Sequence, residues 1–138
     1  MPYQSKLNLS EHRLRQFVTE RYGLTVEIEQ VKQGYFSTTA RLSGKGGDWL
    51  LKVYQENEVN AKQLAFGVSV SEHLGSAGFP APLPIQGLDG STLLSVEGHV
   101  LLLWPFLEGE SYVPGDVSQL KAAADLLGQM HLVTSEMP

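Results

Sequence analysis

The run Val-Leu-Leu-Leu-Trp-Pro-Phe-Leu at residues 100–107 constrains the fold more than any other feature of the chain. It is apolar at successive positions, so a strand built from it has no polar face to turn to water. Such a strand belongs inside a sheet, as its most buried member. Eight residues are far short of the roughly 20 needed to cross a bilayer, which excludes a membrane span here. At Pro105 the strand loses its N–H and can offer only a carbonyl. It then runs into Leu-Glu-Gly-Glu (107–110), which reads either as a hinge between two bodies or as the plain end of an edge strand.

The rest of the chain supplies partners for that strand. A helix is predicted from about Ser10 to Tyr22, capped by Asn8 or Ser10, with Leu14, Phe17, Val18 and Tyr22 on one side and Gly23 as its stop. Strands follow at 25–31, 38–43 and 48–54, the last two joined by Gly-Lys-Gly-Gly at 44–47. A second helix runs from about Asn57 to Ser76, with Val59, Phe66, Val70, Leu74 and Ala77 expected as its buried stripe. Gly-Phe-Pro-Ala-Pro-Leu-Pro-Ile (78–85) must then be extended, because of its three prolines. Strands at 91–96 and 99–106 meet at a Glu97-Gly98 turn, and a last helix runs from an Asp116 cap to about Thr134. The order implies an α+β fold: a five-stranded antiparallel sheet with one helix inserted after the third strand.

Composition narrows the functions. Ten Lys and Arg against fifteen Asp and Glu give a net charge of −5, without the basic excess of a nucleic-acid or anionic-membrane binder. The absence of cysteine excludes disulfides, thiolate zinc sites and a cysteine nucleophile, and His12, His73, His99 and His131 lack metal-ligand spacing. The polar opening Met-Pro-Tyr-Gln-Ser-Lys lacks the apolar core of a signal peptide, so the expectation is a soluble, cytoplasmic protein.

Two features carry candidate chemistry. Gly34, beside Ser37 and Thr38, marks a strand-to-strand turn that reads as an ordinary hairpin or as a phosphate cradle. Lys52 shares a strand face with Leu50 and Tyr54, opposite the face of Trp49, Leu51 and Val53. A lysine so placed either snorkels to the edge or meets a fixed anion.

Taken in order, the turn at Gly34, Trp-Leu-Leu-Lys-Val-Tyr (49–54), Leu-Gly-Ser-Ala-Gly-Phe-Pro-Ala-Pro-Leu-Pro-Ile (74–85), Asp-Gly-Ser-Thr-Leu-Leu (89–94), Glu-Gly-His-Val-Leu-Leu-Leu-Trp-Pro-Phe-Leu-Glu-Gly-Glu (97–110) and Leu-Leu-Gly-Gln-Met-His (126–131) resemble the aminoglycoside phosphotransferase/choline kinase family. The similarity covers residues 24–132 and is greatest to the homoserine-kinase-like and stress-kinase-like branches. It implies a protein-kinase-like N-terminal lobe over residues 1–107, with 108–138 as a linker and the first helix of a second lobe. By that resemblance Gly34, Tyr35, Phe36, Ser37 and Thr38 cover the phosphates of ATP and Lys52 contacts its α- and β-phosphates. Trp104 backs the adenine, and the Pro105 carbonyl and Leu107 N–H bond it, with Phe106 between them.

Two departures follow from the same comparison. The helix acid that pairs with the lysine aligns with Gly67, and Gln63, one turn earlier, is the expected neutral substitute. The family's His-x-Asp loop with its later Asn and metal-binding Asp has no counterpart in these 138 residues. No catalytic residue and no metal ligand are therefore assigned, although magnesium accompanies ATP in the family. The expectation is the ATP-binding lobe of a phosphotransferase acting on a small-molecule hydroxyl, truncated before its catalytic loop and inactive alone. The alternatives are a non-catalytic nucleotide-binding or protein-interaction module, and an unrelated α+β domain. The apolar stripe of the last helix invites self-association.

Overall fold

In the computed structural model, residues 9–34, 37–107, 113–135 and 137 are described. The elements are α1 (Glu11–Tyr22), β1 (Val26–Gln33), β2 (Thr38–Gly44), β3 (Gly47–Gln55), α2 (Glu58–Ser76), β4 (Leu94–Val96), β5 (His99–Pro105) and α3 (Val117–Thr134). The strands form one antiparallel sheet in the order β1-β2-β3-β5-β4. This is the α+β, five-stranded architecture expected from the sequence.

Local chemistry sets the element ends. The Ser10 hydroxyl accepts the Arg13 N–H at 3.1 Å, which makes Ser10 the cap of α1; the alternative, Asn8, lies outside the described residues. Asn57 and Asp116 cap α2 and α3 in the same way, at 2.8 and 3.0 Å. Glu97 (φ 47°) and Gly98 (φ 81°) are both left-handed, as a two-residue hairpin between right-twisted strands requires. The glutamate at this unfavourable angle is tied to α1, since Arg13 Nη2 lies 2.7 Å from its carboxylate. β4 is shorter than the 91–96 expected. Asp89 accepts the Ser91 N–H at 2.9 Å and Gly87 donates to the Ser91 carbonyl at 2.8 Å, so residue 91 belongs to a closed turn.

One face of the sheet carries the core. Leu14, Phe17, Val18 and Tyr22 of α1 cluster with Ala40, Leu42, Leu51, Val53, Leu94, Val96, Leu101 and Leu103. β5 is buried at its first five positions, in keeping with its unbroken apolar run. The opposite face bears Thr39 and Arg41 of β2, Leu50, Lys52 and Tyr54 of β3, and Val100, Leu102 and Trp104 of β5. There Val100 and Leu102 are buried but stand apart from the main cluster.

Of the stripe expected to be buried on α2, Leu74 is buried and Val70 half-buried, but Val59, Phe66 and Ala77 are exposed. Val59 and Phe66 are 63% and 68% exposed, while Val68 and Leu74 are buried and Leu64, Ser71 and Gly75 half-buried. Leu64, Val68, Ser71 and Gly75 follow the i, i+4, i+7, i+11 spacing of a helix face. That face lies roughly a third of a turn or more from the expected stripe at 100° per residue. The helix carries two apolar arcs, and its neighbours decide between them: α2 packs on α3, where His73 Nε2 meets the Val133 carbonyl at 3.0 Å, and Gly75 admits Leu83.

Tyr22 holds the single buried side-chain polar atom without a hydrogen-bond partner among the described residues. Burial pushes the Tyr22 hydroxyl up to about 12. The folded state thus holds this proton more tightly than the unfolded chain, so the associated stability is full below pH 10 and is lost as the pH rises toward 12. Tyr22→Phe is expected to match or exceed the native chain by about 1 kcal/mol at neutral pH. It should also lose less stability between pH 10 and 12, which urea melts across that range will measure.

Candidate nucleotide site

The open face of the sheet bears the site. Lys52 sits between Thr39 of β2 and Leu102 of β5 in the cross-strand row; the next row is Arg41, Leu50 and Trp104. Lys52 and Trp104 are half-buried, and burial raises the pKa of Tyr54 farther along the same face. A cavity of about 310 Å³ is lined by Leu50, Lys52, Pro82, Trp104, Pro105 and Leu107. A second, about 300 Å³, shares Leu50 and is lined also by Gln30, Lys32, Thr39, Arg41 and Phe106.

Backbone parity explains how the end of β5 serves this cavity. In an antiparallel ladder a residue's N–H and C=O point to the same side, and the side alternates along the strand. Phe106 donates its N–H to the Asp48 carbonyl at 3.0 Å, so even-numbered residues here turn toward β3. Odd-numbered residues turn the other way: Leu101 pairs with Leu94 of β4, and the Leu103 carbonyl accepts the Ile85 N–H. β4 reaches no farther than Leu101, so Pro105 and Leu107 come next on an edge without a strand partner. The same parity turns the lone carbonyl of Pro105 to this side, and Leu107 lines the cavity beside it.

Of the residues singled out in the sequence, Lys52, Trp104, Pro105 and Leu107 line one cavity and Phe106 lines its neighbour. Gly34 and Ser37 close the β1–β2 turn through a Gly34 N–H to Ser37 carbonyl bond of 2.8 Å, and Thr38 is buried. A side chain at Gly34 would meet that carbonyl at 3.1 Å, so the turn depends on close backbone approach. Tyr35 and Phe36 lie outside the described residues. Gln63 is exposed on α2 and lines neither cavity; Gly67 is exposed one turn on. Leu50, Pro82 and Arg41 were not singled out. Alternation already places Leu50 on the Lys52 face and extends to Arg41 of β2, whereas Pro82 arrives through a loop without periodicity.

A larger hollow of about 410 Å³ lies between α1 and β1. It is bordered by charged and polar side chains that are partly self-paired, with Arg15 donating to Glu27 at 3.3 Å.

A sheet face with a lysine above an apolar cleft, next to a strand edge offering a lone carbonyl, is an arrangement suited to a phosphorylated, ring-bearing ligand. The chain belongs to the phosphotransferase enzyme family (APH), whose family model matches residues 27–138. It is 28% identical over 114 residues to a homoserine kinase of Hyphomonas neptunium, covering 83% of this chain and 34% of that one. Against a homoserine kinase of Paramagnetospirillum magneticum it is 29% identical over 134 residues, covering 94% and 40%. The chain thus spans between a third and two-fifths of these relatives' length. Its fold is similar to that of a spectinomycin phosphotransferase solved with ADP and spectinomycin (TM-score 0.77, 15% identity, 92% of this chain and 39% of that one). It is similar also to amicoumacin kinase solved with AMP-PNP, Ca²⁺ and Ami (TM-score 0.74, 15% identity, 94% and 41%).

Lys52 forms no ion pair among the described residues. Its charge therefore adds little to folding. Lys52→Met is expected to leave stability within about 0.5 kcal/mol of the native chain. A thermal melt checks this; a loss above about 2 kcal/mol would make Lys52 a structural residue.

Proposed function

We propose that this chain is the ATP-binding N-terminal lobe of a phosphotransferase acting on a small-molecule hydroxyl. Residues 1–107 form the lobe, and 108–138 supply the linker and first helix of the second lobe. The observation that carries this reading is the convergence of Lys52, Trp104, Pro105 and Leu107 on one cavity. The similar kinases solved with ADP and AMP-PNP, and the homoserine kinases among the relatives, support it.

In this reading adenine lies against Trp104 and Leu50, bonded by the Pro105 carbonyl and the Leu107 N–H. Lys52 neutralises the α- and β-phosphates, and the turn of Gly34, Tyr35, Phe36, Ser37 and Thr38 covers them. Gln63 would meet Lys52 only after α2 turns toward the sheet, because that side chain is exposed. In the whole enzyme the acceptor hydroxyl, that of an amino alcohol such as homoserine, forms a bond to the γ-phosphorus. The bond to the bridging oxygen breaks, ADP leaves, and the hydroxyl proton passes to a base.

Such a base has no candidate here, because no His-x-Asp sequence occurs in the 138 residues. Magnesium would bring charge neutralisation to the phosphates, but the residues present do not fit it: no group of three or more His, Asp or Glu among the described residues could hold a metal ion. Among the described residues, no helix is long and apolar enough to cross a membrane.

These 138 residues alone should bind ATP with a dissociation constant on the order of 1 mM, nearly independent of magnesium, since half a cleft covers little of the ligand. They should not turn it over. Calorimetric titration with and without magnesium, with an ADP-release assay alongside, measures both. Micromolar, magnesium-dependent binding or turnover lost in Lys52→Ala would overturn the reading.

A second reading, an interaction module, is favoured by one observation. Val117, Leu120, Leu127 and Leu132 of α3 are 75, 59, 51 and 73% exposed. An apolar helix face of this kind favours self-association. Sedimentation equilibrium should find association that the double variant Leu120→Glu, Leu127→Glu abolishes.

A further inference from the structure

Three contacts join β2, β3 and the segment after β5. The Arg41 guanidinium lies over the Phe106 ring, 4.2 Å from its centroid. Arg41 Nη2 is 3.5 Å from Asp48 Oδ2. The Phe106 N–H donates to the Asp48 carbonyl at 3.0 Å. Register explains the meeting: Arg41 pairs with Leu50, so Asp48 is its diagonal neighbour on the open face of the sheet.

The triangle adds little to stability. Both partners of the ion pair are about two-fifths exposed, and pairs of that kind contribute little. Its position is what stands out. Pro105 cannot donate to the ladder and β4 ends at Leu101, so past the last pair of the β3–β5 ladder the backbone bond at Phe106 is the one that holds the strand end to the sheet among the described residues. Phe106 lies between Pro105 and Leu107, which line the cavity, and rotation there turns both away. Arg41, one row and roughly 7 Å along the strands from Lys52, stands at the Trp104 end of the cleft rather than the lysine end.

We infer that Arg41, braced by Asp48, is a positioning residue: stacked on Phe106, it holds the Pro105 carbonyl and Leu107 N–H in the orientation that receives the purine ring. The inference rests on the nucleotide reading above. Because the arginine acts on the ring-binding edge, its effect is independent of how many phosphates the ligand carries.

The test uses the 138-residue chain, isotopically labelled, titrated with adenosine, AMP and ATP and followed by NMR, with amide exchange measured without ligand. Arg41→Ala should weaken all three ligands by the same factor, roughly 3–10-fold. It should speed exchange at the Phe106 amide while leaving Leu101 unchanged. Arg41→Lys keeps a charge beside Asp48 but lacks the planar face, and should restore only part of the affinity. A loss that grows from adenosine to ATP would make Arg41 a direct phosphate contact and overturn the inference, as would unaltered exchange at Phe106. If the native chain binds none of the three ligands, the nucleotide reading fails, and the exchange measurement still decides whether the clamp exists.

Discussion

Everything at the site depends on α1 covering one face of the sheet. Strand alternation sends Leu51, Val53, Leu101 and Leu103 beneath Leu14, Phe17, Val18 and Tyr22, and by the same geometry sends Leu50, Lys52 and Trp104 to the other side. A register shift of one residue would bury the lysine under the helix and expose the leucines. The apolar residues of β3 and β5 thus do two things: they make the core, and they fix which way the charged residue between them points.

Proline plays the complementary part along the edge. A residue with an N–H at position 105 would present the open edge with a further donor, whereas Pro105 offers an acceptor alone. The neighbours divide that edge among them, with β4 taking Leu101, Ile85 taking Leu103, and 105 and 107 following. The cleft is thus the place where a well-paired sheet runs out of partners. Its walls come from Leu50, Trp104 and Pro82, and the extended course of Pro82 follows from the prolines around it.

Much of this was legible in the residues. The period of two in β3, the unbroken apolar run of β5, the Glu97-Gly98 turn and the caps at Ser10 and Asp116 are local signals, and local chemistry decides them. The candidates Lys52, Trp104, Pro105 and Leu107 came together because strand parity and one resemblance agreed. The phase of α2 was not legible. Val59, Phe66, Val70 and Leu74 form one apolar arc, of which Leu74 is buried and Val70 half-buried, whereas Leu64 and Val68 lie on another, and α2 packs on α3. Gln63 shares the phase of the first arc, and it is exposed and lines neither cavity. Arg41 escaped notice because its significance lies in a diagonal contact and a stacked ring, and both require the register between strands.

The contact between Arg13 and Glu97 has a consequence for how the chain comes to be folded. These residues are 84 positions apart, and α1 docks on strands as late in the chain as Leu101 and Leu103. During synthesis the helix emerges first, with its apolar side uncovered, and has to wait for nearly the whole sheet before it can dock. Long-range closure of this kind slows folding. Until then Leu14, Phe17, Val18 and Tyr22 are open to chaperones and to neighbouring nascent chains.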